Sequence, residues 1–303
     1  MKKKKIMLRK RSIRILLTEK CNASCPNCFN SKIRTAAEFD PDKFEGLCNY
    51  LSRSGFSSLK IMGGEPTVNS HFLDLIEISK RYFYGVHIFS NALSDVICDI
   101  KLREHDSIIY NMNFSNSLTE RKFVLTQPGK RCLKYQLNKD TDIDKLLDSI
   151  NYFMSFSPKR IYPSFTFDCT YDIFKDRDIL LELLDNLEKR LRSLKIKYGF
   201  DHKLPVFFVD DKHEISYRTG LCRVETSGLI DVSLNLRYCN QHHESVCSLV
   251  DDNGNYIPWG IVKNRLLKYY YEQQLEIMKG PCGDCEKFET ECNGGCWGHM
   301  LKK

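Results

Sequence analysis

A chain of 303 residues, 42% hydrophobic and 28% charged, is long and apolar enough to bury a full core, as one large or two modest domains. No apolar run approaches the roughly 18 residues a membrane span needs, and Ile6-Met7-Leu8 is too short for the apolar region of a signal peptide. The formal net charge is +7, yet residues 1–14 hold eight basic side chains and no acidic one, so the rest of the chain stands at −1. That basic character is a tail and not a face, and nucleic acid is not expected as a partner.

Short apolar runs then alternate with helical patterns, the arrangement of a parallel α/β fold. A first strand covers 12–18, and a helix follows over 40–52 with Asp40 as N-cap and Pro41 at its first position. A second strand, 59–62, leads to a helix from 70 to 82. The third, 86–89, ends in Ser90-Asn91-Ala92. The fourth, 108–114, ends in Ser115-Asn116-Ser117, and Gln127-Pro128-Gly129 cuts short the helix after it. The fifth, 132–138, precedes a helix capped by Asp140 or Thr141 and ending near 156. The sixth, 160–167, precedes the most regular helix, 176–197, with Ile179, Leu180, Leu183, Leu184, Leu187, Leu191 and Leu194 on one stripe. Reactive groups of such folds gather at the strands' C-terminal ends, where Cys28, Glu65, Asn91, Ser115, Asn138 and Asp168 all fall.

The chain has 14 cysteines. With no secretion signal in view they point to metal and not to disulfides, in a cytosolic (cytoplasmic) protein. Cys21, Cys25 and Cys28 follow the first strand at spacings of four and three residues. Thiolates are the usual ligands of iron–sulfur clusters, and three of them leave one iron of a cubane open. After the second strand comes Gly63-Gly64-Glu65-Pro66. Its glycines let backbone approach a ligand closely, and its glutamate can accept from an ammonium group.

The cysteine triplet and the GGEP turn, in this order, resemble the radical S-adenosylmethionine (SAM) enzymes. The resemblance implies a partial (β/α)6 TIM-like barrel over 12–200, after a basic tail over 1–11. It implies a 4Fe–4S cluster on Cys21, Cys25 and Cys28, with SAM on the open iron. One electron from the cluster then cleaves SAM to a 5′-deoxyadenosyl radical, which abstracts a hydrogen atom from substrate. Carried over position by position, the residues facing SAM are Phe29, Gly63, Gly64, Glu65, Pro66, Ser90, Asn91, Asn113 and Ser115. Two departures are visible. Asn27 stands where the family has an aromatic residue, with Phe29 two positions on, and Ser90-Asn91-Ala92 is a variant of the family's TNG turn that has lost its glycine.

A second group of cysteines lies beyond the barrel, at Cys222, Cys239, Cys247, Cys282, Cys285, Cys292 and Cys296. Spacing alone divides it between zinc and iron–sulfur. Behind such a barrel it resembles SPASM and twitch extensions, which implies a small cysteine-rich α+β domain over 201–303 carrying auxiliary 4Fe–4S clusters. In a twitch-like assignment Cys222, Cys239, Cys282 and Cys285 hold one cluster. In a SPASM-like one, Cys222, Cys239 and Cys296 serve one and Cys282, Cys285 and Cys292 another, with Cys247 or an outside ligand completing a site. Cys48, Cys98 and Cys132 are read as bystanders, and Cys169, after the sixth strand, as a candidate hydrogen-atom donor. The resemblance implies a peptide substrate, such as a precursor peptide, and an electron donor such as flavodoxin or ferredoxin. The alternative is a twitch-type dehydrogenase or rearrangement enzyme acting on a small molecule such as an aminocyclitol or sugar. The triplet's position near the start of the chain counts against a leader-binding domain before the barrel.

Overall fold

The computed structural model describes residues 11–25, 28, 30, 35–112, 129–156, 161–167, 176–200, 228–239, 244–280 and 282–286. Ten strands join one sheet. β1 (Ser12–Leu16), β2 (Ser58–Met62), β3 (Gly85–Ser90), β4 (Ser107–Asn111), β5 (Lys130–Leu137), β6 (Ile161–Phe167) and β7 (Gly199–Phe200) run parallel and in sequence order. On the far side of β1, β8 (Leu229–Ile230) pairs parallel with it, and β9 (Asn235–Arg237) and β10 (Ser245–Ser248) add two antiparallel strands. The α-helices are α1 (Pro41–Arg53), α2 (Phe72–Tyr82), α3 (Ile143–Met154), α4 (Arg177–Ser193) and α5 (Trp259–Met278).

The expected α/β arrangement is thus found, with a longer sheet. The pattern reading stopped at six strands; β7 is two residues long, too short to leave an apolar period. β8 is equally short and was not read at all. Its pairing with β1 carries the sheet across the expected boundary at 200/201. β9 and β10, the latter bearing Cys247, continue the same sheet.

Local chemistry explains the element ends. Asp40 caps α1, its Oδ1 accepting from Lys43 N at 2.9 Å. The helix stops where Gly55 turns left-handed (φ 86°). Gly55 N then donates to Ser52 O, and Phe56 N to Leu51 O, which satisfies the last carbonyls. α3 is capped by Asp142 and not by Asp140 or Thr141, because Asn138 and Thr141 close a turn of their own before it. α4 ends earlier than its leucines suggest: Lys195 takes the left-handed position (φ 56°), and Ile196 N closes back on Leu191 O at 2.9 Å. Leu180, Leu184, Leu187 and Leu191 are buried as read, together with Leu181, which was not. Ile179 and Leu194 of the expected stripe lie 51% and 48% exposed.

Alternate residues of the strands build two faces. Ile13, Ile15, Leu59, Ile61, Val86, Ile88, Ile108 and Leu133 share one core with Phe44, Leu47, Leu75, Ile150 and Leu184 of the helices. On the other face Leu16, Met62 and Leu229 form a small buried cluster, with Phe89 packed on it. Among the described residues no helix is long and apolar enough to cross a membrane.

Candidate metal centre

The chain leaves β1 into the cysteine loop and returns before α1 through a narrow neck. Thr18 and Glu38 form an antiparallel bridge, Glu19 N donates to Ala37 O at 2.9 Å, and Phe39 N donates to Leu17 O at 3.1 Å. Thr18 Oγ1 donates to Ala37 O and accepts from Lys20 N at 3.1 Å. Asn69, 4% exposed, donates from Nδ2 to Leu17 O and Phe39 O, clasping both strands of the neck. Lys20 and Glu38 pair at 3.1 Å outside it.

The GGEP turn is zipped to this neck. Gly64 N donates to Thr18 O at 2.9 Å and Glu65 N to Lys20 O at 2.8 Å. A Cβ on Gly63 would stand 2.6 Å from Thr18 O, and one on Gly64 would overlap the carbonyl of Lys20. The close approach these glycines permit is to the backbone of 18–20.

Glu65 is 1% exposed and is spent inside the protein. Its Oε1 accepts from Thr67 N, Thr67 Oγ1 and Ser90 Oγ, and its Oε2 from Asn91 N at 2.7 Å. Burial pushes the carboxyl up, and the donors of Asn91, Thr67 and Ser90 pull it back in part. Its carboxylate thus forms a tie between the β2 and β3 turns. Asn91 extends the tie, because its Nδ2 donates to Asn22 Oδ1 at 2.9 Å, inside the cysteine triplet. Ala92 adopts φ 56° where the family's turn has glycine. Pro66 opens the short 3-10 turn after Glu65 and is buried.

Cys21, Cys25 and Cys28 are half-buried on the loop, and Cys28 N donates to Cys25 O at 3.3 Å. Among the described residues no three His, Cys, Asp or Glu side chains converge on one metal position. Donor chemistry is what fits a cluster here: three soft thiols on one loop whose neck is fixed from three sides. A further residue went unread. Asn30, 5% exposed, donates from Nδ2 to Gly63 O at 3.3 Å, while its buried Oδ1 has no hydrogen-bond partner among the described residues. A buried acceptor of this kind calls for a donor. Its signal was proximity to Cys28, which composition and periodicity do not weigh.

Of the other expected positions, Phe29, Asn113, Ser115, Cys169, Cys222, Cys292 and Cys296 lie outside the described residues. In the C-terminal group Cys282 is buried and Cys285 half-buried, and Cys285 N donates to Cys282 O at 3.3 Å, the same turn as at Cys25 and Cys28. Gly283 is obligatory there, since a Cβ would overlap Met278 O. Cys239 lies two residues beyond the end of β9. Cys48 is a core residue of α1 whose thiol burial pushes up, away from ligand chemistry.

A parallel sheet with a three-thiol loop after β1, tied to a glycine turn after β2, defines an iron–sulfur protein of α/β class. Residues 11–113 match a family model described as a 4Fe-4S single cluster domain. The chain is similar to a probable GTP 3',8-cyclase of Pyrococcus horikoshii, 30% identical over 112 residues covering 37% of this chain and 36% of that protein. It is similar to the mycofactocin maturase MftC of Mycolicibacterium smegmatis, 31% identical over 78 residues covering 25% and 20%. In fold it resembles Streptococcus suis SuiB bound to precursor peptide SuiA. The TM-score is 0.59 at 13% identity, over 76% of this chain and 59% of that one. These likenesses are to proteins of the radical SAM family. It spans less than half the length of the curated relatives it matches.

Proposed function

We propose that this chain cleaves SAM reductively and abstracts a hydrogen atom from a peptide substrate. The observation that carries the first half is the fixed neck of the cysteine loop, joined through Gly64, Glu65 and Asn91 to two further strand ends. Cys21, Cys25 and Cys28 hold the 4Fe–4S cluster, which when bound supplies the electron for cleavage and an open iron for SAM. Asn30 Oδ1 accepts from the ammonium group of SAM. Gly63, Gly64, Glu65, Pro66, Ser90 and Asn91 act by holding the loop. Phe29, Asn113 and Ser115 complete the SAM site.

The peptide half is supported by the maturase MftC among the relatives and by the likeness in fold to SuiB. Cys222, Cys239, Cys282, Cys285, Cys292 and Cys296 carry one or two auxiliary clusters within 201–303, and Cys169 returns a hydrogen atom to the product radical. A flavodoxin or ferredoxin in the cytoplasm delivers the electron. The similarity to a GTP 3',8-cyclase favours a second reading, in which the substrate is a small molecule.

The test is anaerobic reconstitution with SAM and a strong reductant. The expected result is 5′-deoxyadenosine from the wild type and none from Cys25→Ala, with about eight irons per chain for one auxiliary cluster or about twelve for two. No 5′-deoxyadenosine from a fully loaded protein would sink the radical reading. A mass change in a neighbouring short peptide supports the peptide substrate, and turnover of a nucleotide in its place overturns it.

A further inference from the structure

Arg237, the last residue of β9, stands opposite Leu229 of β8, and directly opposed residues share a face of the sheet. That face carries the buried cluster of Leu16, Met62 and Leu229. A guanidinium in such a place needs anionic partners. Among the described residues two face it, Asp231 Oδ2 at 2.9 Å and Glu19 Oε1 at 3.7 Å. The side chains of Arg237, Asp231 and Glu19 are only 10%, 5% and 11% exposed, so salt and water screen these charges little.

The two carboxylates belong to different parts of the fold. Asp231 Oδ1 accepts from Ser233 N and Asn235 N, each at 3.0 Å, and so holds the turn between β8 and β9. Glu19 joins both sides of the neck of the cysteine loop. Its N donates to Ala37 O, and its Oε2 accepts from Thr35 Oγ1. Cys21 follows two residues further on. The hairpin is held from α1 as well, where Lys43 Nζ donates to Val232 O at 2.7 Å. Arg237 therefore acts from a fixed support, and what it fixes in turn is Glu19.

We propose that Arg237 is a positioning residue for the cluster on Cys21, Cys25 and Cys28. By neutralising Glu19 inside the protein it keeps the neck shut, so the C-terminal hairpin sets how firmly the loop holds iron. Without the guanidinium, Glu19 is a nearly buried carboxylate deprived of this cation; it turns out to water and takes its side of the neck with it. The proposal rests on the reading that the triplet binds the cluster, and it needs no role for the C-terminal cysteines.

The test follows the reduced, anaerobically reconstituted full chain by electron paramagnetic resonance while a ferrous chelator withdraws iron. SAM occupies the open iron, so the part of the spectrum that SAM alters reports the triplet's cluster and no auxiliary one. Loss of that signal is expected to be about fivefold faster in Glu19→Gln and in Arg237→Met, with Arg237→Lys between them and the wild type. Glu19→Gln leaves the pair of Arg237 with Asp231 whole and is expected to melt at the wild-type temperature, which separates loop retention from general unfolding. The double variant is expected to lose the signal no faster than Arg237→Met alone, because both changes break one contact. Wild-type loss rates in both single variants, a melting temperature of Glu19→Gln that falls in step with its loss rate, additive effects in the double variant, or no recovery in Arg237→Lys would each overturn the proposal and leave the radical reading intact. A wild-type spectrum that SAM does not alter overturns that reading, and this proposal with it.

Discussion

Glu65 joins three parts of the chain through one buried carboxylate. The turn after β2 supplies Thr67, the turn after β3 supplies Ser90 and Asn91, and Asn91 reaches on to Asn22 between two cysteines. Glutamine at this position keeps an acceptor on one side only and turns an amide N–H₂ toward the backbone N–H of Thr67 or Asn91. Glu65→Gln is therefore expected to lower stability by about 1–2 kcal/mol. Chemical denaturation measures that loss, and iron retention after gel filtration should fall with it. Unchanged stability would show that the ties do not hold the turns. The identity of Glu65 was legible from its motif, but its ties to Thr67, Ser90 and Asn91 were not, because a motif gives the residue and not the direction its oxygens face. Asn30 and Asn69 carried no motif at all, since a lone asparagine in a loop reads as ordinary turn chemistry.

The helices and longer strands were legible where apolar period and cap agreed, as in α1 with Asp40 and Pro41. What went unread were the short strands β7, β8, β9 and β10, which exist because a neighbouring strand pairs with them, and the 20-residue helix α5. The end of α4 failed for another reason. Pattern extends a helix through leucine, and Leu194 is 48% exposed just before Lys195 turns left-handed. A non-glycine residue in that region is strained by about 1–2 kcal/mol, and glycine's extra freedom in the unfolded chain cancels part of the relief. Lys195 is exposed, so no packing is lost. Lys195→Gly is expected to raise stability by about 0.5–1 kcal/mol, read from urea midpoints at unchanged slope. A lower midpoint would mean that the lysine stem supports the turn.

Across the whole fold, acid should act through carboxylates whose bonds outweigh their burial. Burial alone would push Asp106 up, yet Arg103 and the backbone N–H groups of Arg103 and Val86 hold it below its ordinary value of 3.8. A lowered folded value means that the contribution is complete above the unfolded value and is lost as pH falls through the folded one. The melting temperature is therefore expected to drop below about pH 4, and Asp106→Asn to start lower at neutral pH with a shallower acid limb. Parallel limbs would remove Asp106 from the account. Asp106 also anchors the start of β3 from beside β4, so its protonation loosens the sheet at the end opposite the cysteine loop.

The pairing of β8 with β1 has a consequence in time. Arg237, the last residue of the neighbouring β9, lies 2.9 Å from Asp231 and 3.7 Å from Glu19 at the loop's neck. Glycine turn and neck can meet as soon as the first strands are made, but Arg237 is synthesised roughly 200 residues later. At ribosomal speed that is about 10–40 s. During that interval the thiols of the growing chain stand on a loop whose last brace has not yet been made, open to iron–sulfur delivery and to oxygen alike.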